Sequence, residues 1–339
     1  MSDQRAVGIL PVDEFDVALL DLDGVIYIGP HLVDHADGAI ALARERGMRF
    51  GFVTNNASRT PEDVAAHLCE LGIGASVDDV VTSSQAGAHV LAQRLDADTA
   101  VLAVGGPGVD AALLEFGLRP VRSLEAQPAA VMQGFGRDVQ WRDLADASVA
   151  VRRGAYWVAT NLDATLPIPG GRAPGNGMLV AAVAQAAGRG PDAVAGKPHA
   201  PLMRDSIDRL QARRPLVVGD RLDTDIEGAD RLGIPSLLVM TGVTDVATAM
   251  SAPAGQRPTL LARDLRGLLE RHPSIDGDGR GCWSARSSRA RVEEGAVVVR
   301  VGRGNDGWID ALRCACAASW ATPDADIGGA VRVLSSGMP

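Results

Sequence analysis

"ALLDLDGVIYIG" (residues 18–29) sets an apolar run directly against two aspartates, Asp21 and Asp23, and then a glycine, Gly24. A short apolar run bounded in this way reads as a buried strand that stops on carboxylates. Working outward, "DVALLDL" (16–22) and "MRFGFVTN" (48–55) are strand-like, and the helix-periodic "HADGAIALARERG" (35–47) lies between them. Strand, helix, strand in that order favours a parallel sheet with a right-handed crossover. A second helix is expected in "TPEDVAAHLCELG" (60–72), where Thr60 can cap, Pro61 suits the first turn, and Val64, Leu68 and Leu71 share a face.

Three further strand-like runs, "TAVLAVG" (99–105), "AAVMQGF" (129–135) and "AYWVATN" (155–161), alternate with helical stretches such as "WRDLADASVAVRRG" (141–154). Beyond them "GKPHAPLMRDSIDRLQARR" (196–214), "PLVVGD" (215–220), "DTDIEGADRLG" (223–233) and "PSLLVMTG" (235–242) resume the first alternation. The middle block therefore reads as an insertion. The expected fold class is α/β, a Rossmann-like doubly wound parallel sheet with an inserted α/β domain and a small α+β appendage. The expected boundaries are 1–87 with 186–272 for the core, 88–185 for the insertion and 273–339 for the appendage. In the appendage, "GCWSARSSRARVEEGAVVVRVGRG" (281–304) alternates like a hairpin and "DGWIDALRCACAASWA" (306–321) looks helical; Trp283, Trp308 and Trp320 would pack it on the core.

Composition narrows the function classes. With 46% hydrophobic and 22% charged residues the chain reads as a soluble globular protein. A formal charge of −9 repels nucleic acid and anionic membranes at long range, so neither is an expected partner, and an acidic substrate would need a local cation. "MLVAAVAQAA" (178–187) is about half the roughly 20 residues of a spanning helix, and "MSDQRAVGILPVDEFD" shows no signal-peptide progression. A cytoplasmic location is the expectation. Cys69, Cys282, Cys314 and Cys316 suit reduced thiols; "CAC" (314–316) with Cys282 and His272 has enough ligand atoms for zinc but an unusual spacing in a helical segment. "VGGPG" (104–108) lacks a P-loop lysine and reads as a turn.

In open parallel sheets, ligands gather at the carboxyl ends of the strands. Here those ends are polar: Asp21 and Asp23; Thr54, Asn55 and Asn56; and Asp220, Asp223 and Asp225 in "VGDRLDTD" (218–225), with Lys197 in "GKP" before the last helix. Carboxylates converging there would repel one another without a cation, and oxygen ligands plus a phosphate describe a Mg²⁺ site. Helix capping is the alternative; it accounts for one aspartate rather than three.

These four segments, in this order, resemble the signature of the haloacid dehalogenase superfamily: "DLDGVIY", "FVTNN", "GKP" and "GDRLDTD". The resemblance implies that Asp21 is the nucleophile that forms an aspartyl-phosphate and that Asp23 is the general acid and base. It implies Mg²⁺ held by Asp21, the backbone carbonyl of Asp23 and Asp220, with Asp225 steering a metal-bound water. Asp223 is left between a metal role and a helix cap. Thr54, the Asn55 amide and Lys197 would hold phosphoryl oxygens, with Asn56 beside them, and Gly24 would turn the chain clear of the pocket. Asp23 favours phosphate esters over halides, since expelling an alkoxide needs an acid.

The insertion is similar to the C2-type cap of this superfamily. "TNLDATLPIPGGRAPGNGMLVAAVAQAAGRGPDAVAGKP" (160–198) resembles the segment shared by phosphoglycolate, pyridoxal phosphate, nitrophenyl phosphate and NagD-type phosphatases. Asn161, Asp163 and Arg172 are then candidates for substrate or hinge contacts, or ordinary loop residues. The implied activity is Mg²⁺-dependent hydrolysis of a small phosphorylated metabolite. Glycerol 3-phosphate comes first, because the Ala- and Arg-rich tail is compatible with an actinobacterial group of such phosphatases. Phosphoglycolate comes next, and sugar, nucleotide and pyridoxal phosphates stay open, as do a phosphotransferase, a non-catalytic partner-binding role and a homo-oligomer.

Overall fold

The computed structural model describes residues 8–168 and 170–337; the start of the amino-terminal stretch read above for a signal lies outside them. The chain forms two compact units, one comprising the residues up to Phe50 and from Arg213 onward, the other Gly51–Ala212.

In the first unit four strands run parallel in the order Leu260–Ala262, Ser236–Val239, Pro215–Gly219, Val17–Leu20. All of Val17–Leu20 and Ser236–Val239 is buried, and apart from Ser236, whose Oγ accepts Thr259 N–H at 3.3 Å, these runs are apolar rather than alternating. Asp16 pins the entry to this sheet by accepting the N–H groups of Arg213 and Arg214 at 3.0 and 2.8 Å. The carboxyl-terminal region adds an antiparallel sheet of Asp276–Gly277, Cys282–Ala285, Ser288–Glu293 and Ala296–Arg300, followed by helices Gly307–Ala321 and Gly328–Ser336.

That sheet is a meander rather than the single hairpin expected. Two-residue turns at Arg286–Ser287 and Glu294–Gly295 close it. Glu294 and Gly295 both have positive φ, 48° and 78°, the backbone a type I′ turn requires. Its inner residues Ala285, Ala290 and Val297, with Trp308, Ile309 and Leu312, share one apolar core with Ile226, Leu238, Val246 and Met250. Trp320 Nε1 donates to Ala249 O at 3.0 Å, so the tail is docked by its tryptophans as read. Cys314 and Cys316 are buried in the helix, and burial pushes the Cys314 thiol up to about 12 and that of Cys316 further. His272 is occupied by Gly267 O and Arg313, so the zinc alternative falls.

The second unit pairs Arg49–Thr54 in parallel with Val80–Thr82 and holds a five-stranded parallel sheet. That sheet is ordered Ala193–Val194, Tyr156–Ala159, Ala130–Gln133, Ala100–Val104, Arg119–Val121. Helices Pro107–Glu115, Trp141–Arg152 and Asn176–Ala187 alternate with these strands, and Trp157 is fully buried among them. Thr60 caps Pro61–Glu70 in a reciprocal box with Asp63. "VGGPG" joins a strand to a helix: the Gly106 and Gly108 N–H groups bond Phe135 O and Ser58 O, leaving no phosphate cradle. A two-stranded ribbon, Thr165–Ile168 with Gly171–Pro174, was not legible in a Pro- and Gly-rich stretch, and Arg172 stands exposed on it. Thus the α/β class with parallel sheets flanked by helices, and the added α+β region, both hold. Among the described residues no helix is long and apolar enough to cross a membrane.

Candidate active site

In the first unit the ends of two neighbouring strands carry the acids. Asp21 follows Val17–Leu20 and takes its place by donating its N–H to Val218 O at 2.9 Å. Asp220 follows Pro215–Gly219, and Asp225 comes from a π-helical turn, Leu222–Ile226, that leads into helix Glu227–Leu232. Such turns place a side chain where a regular helix start could not, and they recur at functional sites. One oxygen from each of Asp21, Asp220 and Asp225 lies within 4.8 Å of the others. Octahedral Mg²⁺, with bonds near 2.1 Å, sets its ligand oxygens about 3 to 4 Å apart, so the donor set fits.

Backbone donors orient these acids. Asp220 Oδ2 accepts Val243 N–H at 2.6 Å, and Asp225 Oδ2 accepts Arg221 N–H at 3.2 Å. Gly24 turns away with φ +88°, and a Cβ there would lie 2.5 Å from Asp220 Oδ2. Any side chain at 24 would therefore both strain the backbone and crowd the acid cluster. Asp23 is exposed beyond the strand, its backbone bridged to Tyr27. Asp223 is resolved from its two readings: it is exposed and bound by Arg221 Nε and Nη2 at 3.0 and 2.8 Å, outside the acid cluster. Burial pushes its carboxyl up, but the Arg221 guanidinium outweighs that and holds it below the usual carboxylate range.

In the second unit Thr54, Asn55, Asn56 and Lys197 come together. Thr54 Oγ1 accepts Asn56 N–H at 3.0 Å, which leaves its own proton to donate. Asn56 turns to Ser58, accepting its N–H and Oγ–H at 2.9 and 2.7 Å. Lys197 is buried, and its Nζ donates to Val53 O at 3.1 Å. Asn161 is buried as well: its Nδ2 donates to Asn55 O at 2.7 Å, while its Oδ1 accepts Asp163 N–H at 3.1 Å. Sequence reading missed Val243, Ser83 and Asn176, which hold Asp220, Asn55 and Asn161 respectively. Val243 was within reach of the strand-end rule, since "TGVT" (241–244) follows Ser236–Val239 after one intervening residue.

Buried carboxylates of one sign at the carboxyl ends of parallel strands define a metal-assisted hydrolase class. The comparisons carry this to a family. The model of haloacid dehalogenase-like hydrolases matches residues 18–119, and a related HAD-hydrolase-like model matches 194–268. The D-glycerol 3-phosphate phosphatase of Mycobacterium tuberculosis is 49% identical over 75% of this chain and 71% of its own. An acid sugar phosphatase of Staphylococcus haemolyticus is 34% identical over 73% of this chain and 92% of its own. The structure of the M. tuberculosis glycerol phosphate phosphatase with magnesium aligns over 98% of this chain and 99% of its own, at 40% identity and TM-score 0.86. That of a Thermotoga maritima 4-nitrophenylphosphatase covers 76% of this chain and 97% of its own, at 28% and TM-score 0.71. The chain belongs to the haloacid dehalogenase-like hydrolases and is a phosphatase of that family.

Proposed function

We propose that this chain hydrolyses glycerol 3-phosphate, using Mg²⁺ held by Asp21, Asp220 and the backbone carbonyl of Asp23, with Asp225 outside them. The observation that carries the chemistry is the Asp21, Asp220, Asp225 cluster. The substrate is supported by a likeness that includes the C-terminal region: the glycerol phosphate phosphatase structure matches 98% of this chain, whereas the 4-nitrophenylphosphatase is matched almost whole within 76% of it. The layout of a core interrupted by a cap, 88–185, is part of the proposal; the break between family matches, 120–193, supports an interruption there though not its exact bounds.

In the reaction, Asp21 attacks phosphorus and the bond to the glycerol oxygen breaks as Asp23 gives that oxygen its proton. Asp23 then takes a proton from the water that cleaves the aspartyl-phosphate, releasing inorganic phosphate and restoring both acids. The bound ion supplies charge neutralisation between the carboxylate and the phosphoryl group. Thr54, the Asn55 N–H and Lys197 hold the phosphoryl oxygens; the Asn55 side chain is taken up by Lys197 and Asp163, and that of Asn56 by Ser58. The test is phosphate release from a panel of phosphomonoesters with Mg²⁺, ranked by kcat/KM, alongside Asp21→Asn. Glycerol 3-phosphate should lead, and Asp21→Asn should lose at least about 10³-fold in kcat with an unchanged melting curve. Another ester in first place overturns the substrate; an active Asp21→Asn overturns the mechanism.

A further inference from the structure

The segment between strand Tyr156–Ala159 and helix Asn176–Ala187 ends up wrapped around one residue, Asn55. The Asn55 side chain brackets a single residue of the lysine segment from both sides. Its Oδ1 accepts Lys197 N–H at 2.8 Å, and its Nδ2 donates to Lys197 O at 3.0 Å. The second Nδ2 proton goes to Asp163 Oδ2 at 3.2 Å. Both Nδ2 protons and one of the two Oδ1 lone pairs are thereby used.

The close approach depends on Gly196, where a Cβ would fall 2.5 Å from Asn55 Oδ1 and 2.6 Å from Thr160 O. The Asn55 main chain is gripped too: its carbonyl accepts Ser83 Oγ–H and Asn161 Nδ2–H, each at 2.7 Å. Asn161 is in turn fixed through its carbonyl by Asn176 Nδ2 at 2.8 Å.

We propose that Asp163 is a positioning residue for Lys197, acting through the Asn55 amide. A carboxylate can only accept, so Asp163 selects the amide orientation in which Nδ2 faces it and Oδ1 faces Lys197 N–H. In the flipped amide, an oxygen would meet the Asp163 carboxylate and Lys197 O together, while Nδ2 would meet Lys197 N–H. Each of those contacts is repulsive, and each leaves a polar group without its bond. Asn161 sets the carbonyl of Asn55 while Asp163 sets its side chain, so two residues of one loop fix both the N–H that faces a phosphoryl oxygen and the backbone of the lysine. A residue held this way matters to catalysis because a displacement near 1 Å of a binding group costs on the order of 100-fold.

This inference rests on Lys197 holding the phosphoryl group. The experiment measures kcat and KM for 4-nitrophenyl phosphate and the inhibition constant of inorganic phosphate in four variants: Asp163→Asn, Asn55→Asp, the two combined, and Lys197→Ala. Melting curves accompany each. Asp163→Asn should lower kcat/KM by about tenfold or more and weaken phosphate inhibition in the same direction as Lys197→Ala. In the combined variant the amide introduced at position 163 can donate to the carboxylate introduced at position 55, so its kcat/KM should exceed that of Asn55→Asp alone. A folded Asp163→Asn with wild-type kcat/KM and phosphate inhibition overturns the inference, as does a combined variant no better than Asn55→Asp. Wild-type activity in Lys197→Ala instead overturns the reading of the lysine.

Discussion

Asp220 and Arg313 are both buried and charged in the same unit, and their surroundings differ. Arg313 lies in a set that balances itself. Its Nε and Nη2 donate to Leu261 O at 2.9 and 2.6 Å, and its Nη1 donates to Asp310 Oδ1 at 2.7 Å. Its Nη2 also meets His272 Nδ1 at 3.0 Å, and the other oxygen of Asp310 takes Arg286 Nη1 at 2.9 Å. Asp220 instead gathers acids of its own sign, Asp21 and Asp225, while the neighbouring Arg221 is engaged by Asp223. The Arg313 set ties the carboxyl-terminal region to the sheet; three carboxylates with an oxygen each within 4.8 Å of the others suit a divalent cation.

The comparison breaks first at the acids. Asp220→Asn should raise the Mg²⁺ concentration for half-maximal phosphate release by at least about 100-fold, the upper end of what losing even an outer partner of a metal ligand costs. Asp223→Ala, outside the cluster, should leave the Mg²⁺ requirement within about twofold and cost under about 1 kcal/mol, as exposed ion pairs do. Equal Mg²⁺ responses in the two variants would merge what the structure separates.

Arg313→Leu should do the reverse. Removing one partner of a buried pair leaves Asp310 with Arg286 alone and should cost about 3–5 kcal/mol in urea unfolding. The kcat/KM of the remaining folded protein should stay within about twofold. Unaltered stability, or a collapse of kcat/KM at full stability, would end the claim that this set is structural.

How far each set was legible follows from its span in sequence. Asp21, Asp23 and Gly24 are contiguous, and Asp220 and Asp225 share one short segment, so motif order and the strand-end rule reach them. Strands such as Val17–Leu20 and Ala100–Val104 were readable because every residue in them is buried and apolar. Asn161 and Asp163 were legible as candidates for substrate or hinge contacts, but not as partners of Asn55, and Asn176 was not singled out. Their use depends on the fold bringing Asn161 and Asp163 to Asn55, more than 100 positions away, with Asn176 behind Asn161. Arg313 looked like one charge in an apolar helix; nothing local to "ALRCACA" points to Leu261 or His272. The hairpin read over 281–304 left one of the two turns there, Arg286–Ser287 and Glu294–Gly295, unplaced for a different reason. An alternating run with a two-residue interruption reads as continuous unless the positive φ at both positions is given weight.

The smallest effect is a pH dependence that belongs to the balanced set alone. His272 is 3% exposed; Gly267 O lies 2.8 Å from Nε2, which assigns the proton there and leaves Nδ1 to accept from Arg313. Burial, and then the Arg313 charge, pull the His272 pKa from 6.5 down to about 4. A histidine whose folded pKa lies below its unfolded value resists protonation only when folded. The stability it confers is complete above pH 6.5 and is lost as pH falls toward 4, by about 3 kcal/mol over that interval. Glu270 works the other way: burial, then Asp306 and Asp264, hold its carboxyl above the usual range, so the folded state takes its proton more readily as pH falls. The difference between the native chain and His272→Gln therefore isolates the histidine. Urea midpoints compared from pH 7 to 4.5 should converge as the native chain loses its advantage, and parallel curves would show that His272 remains neutral for no energetic reason.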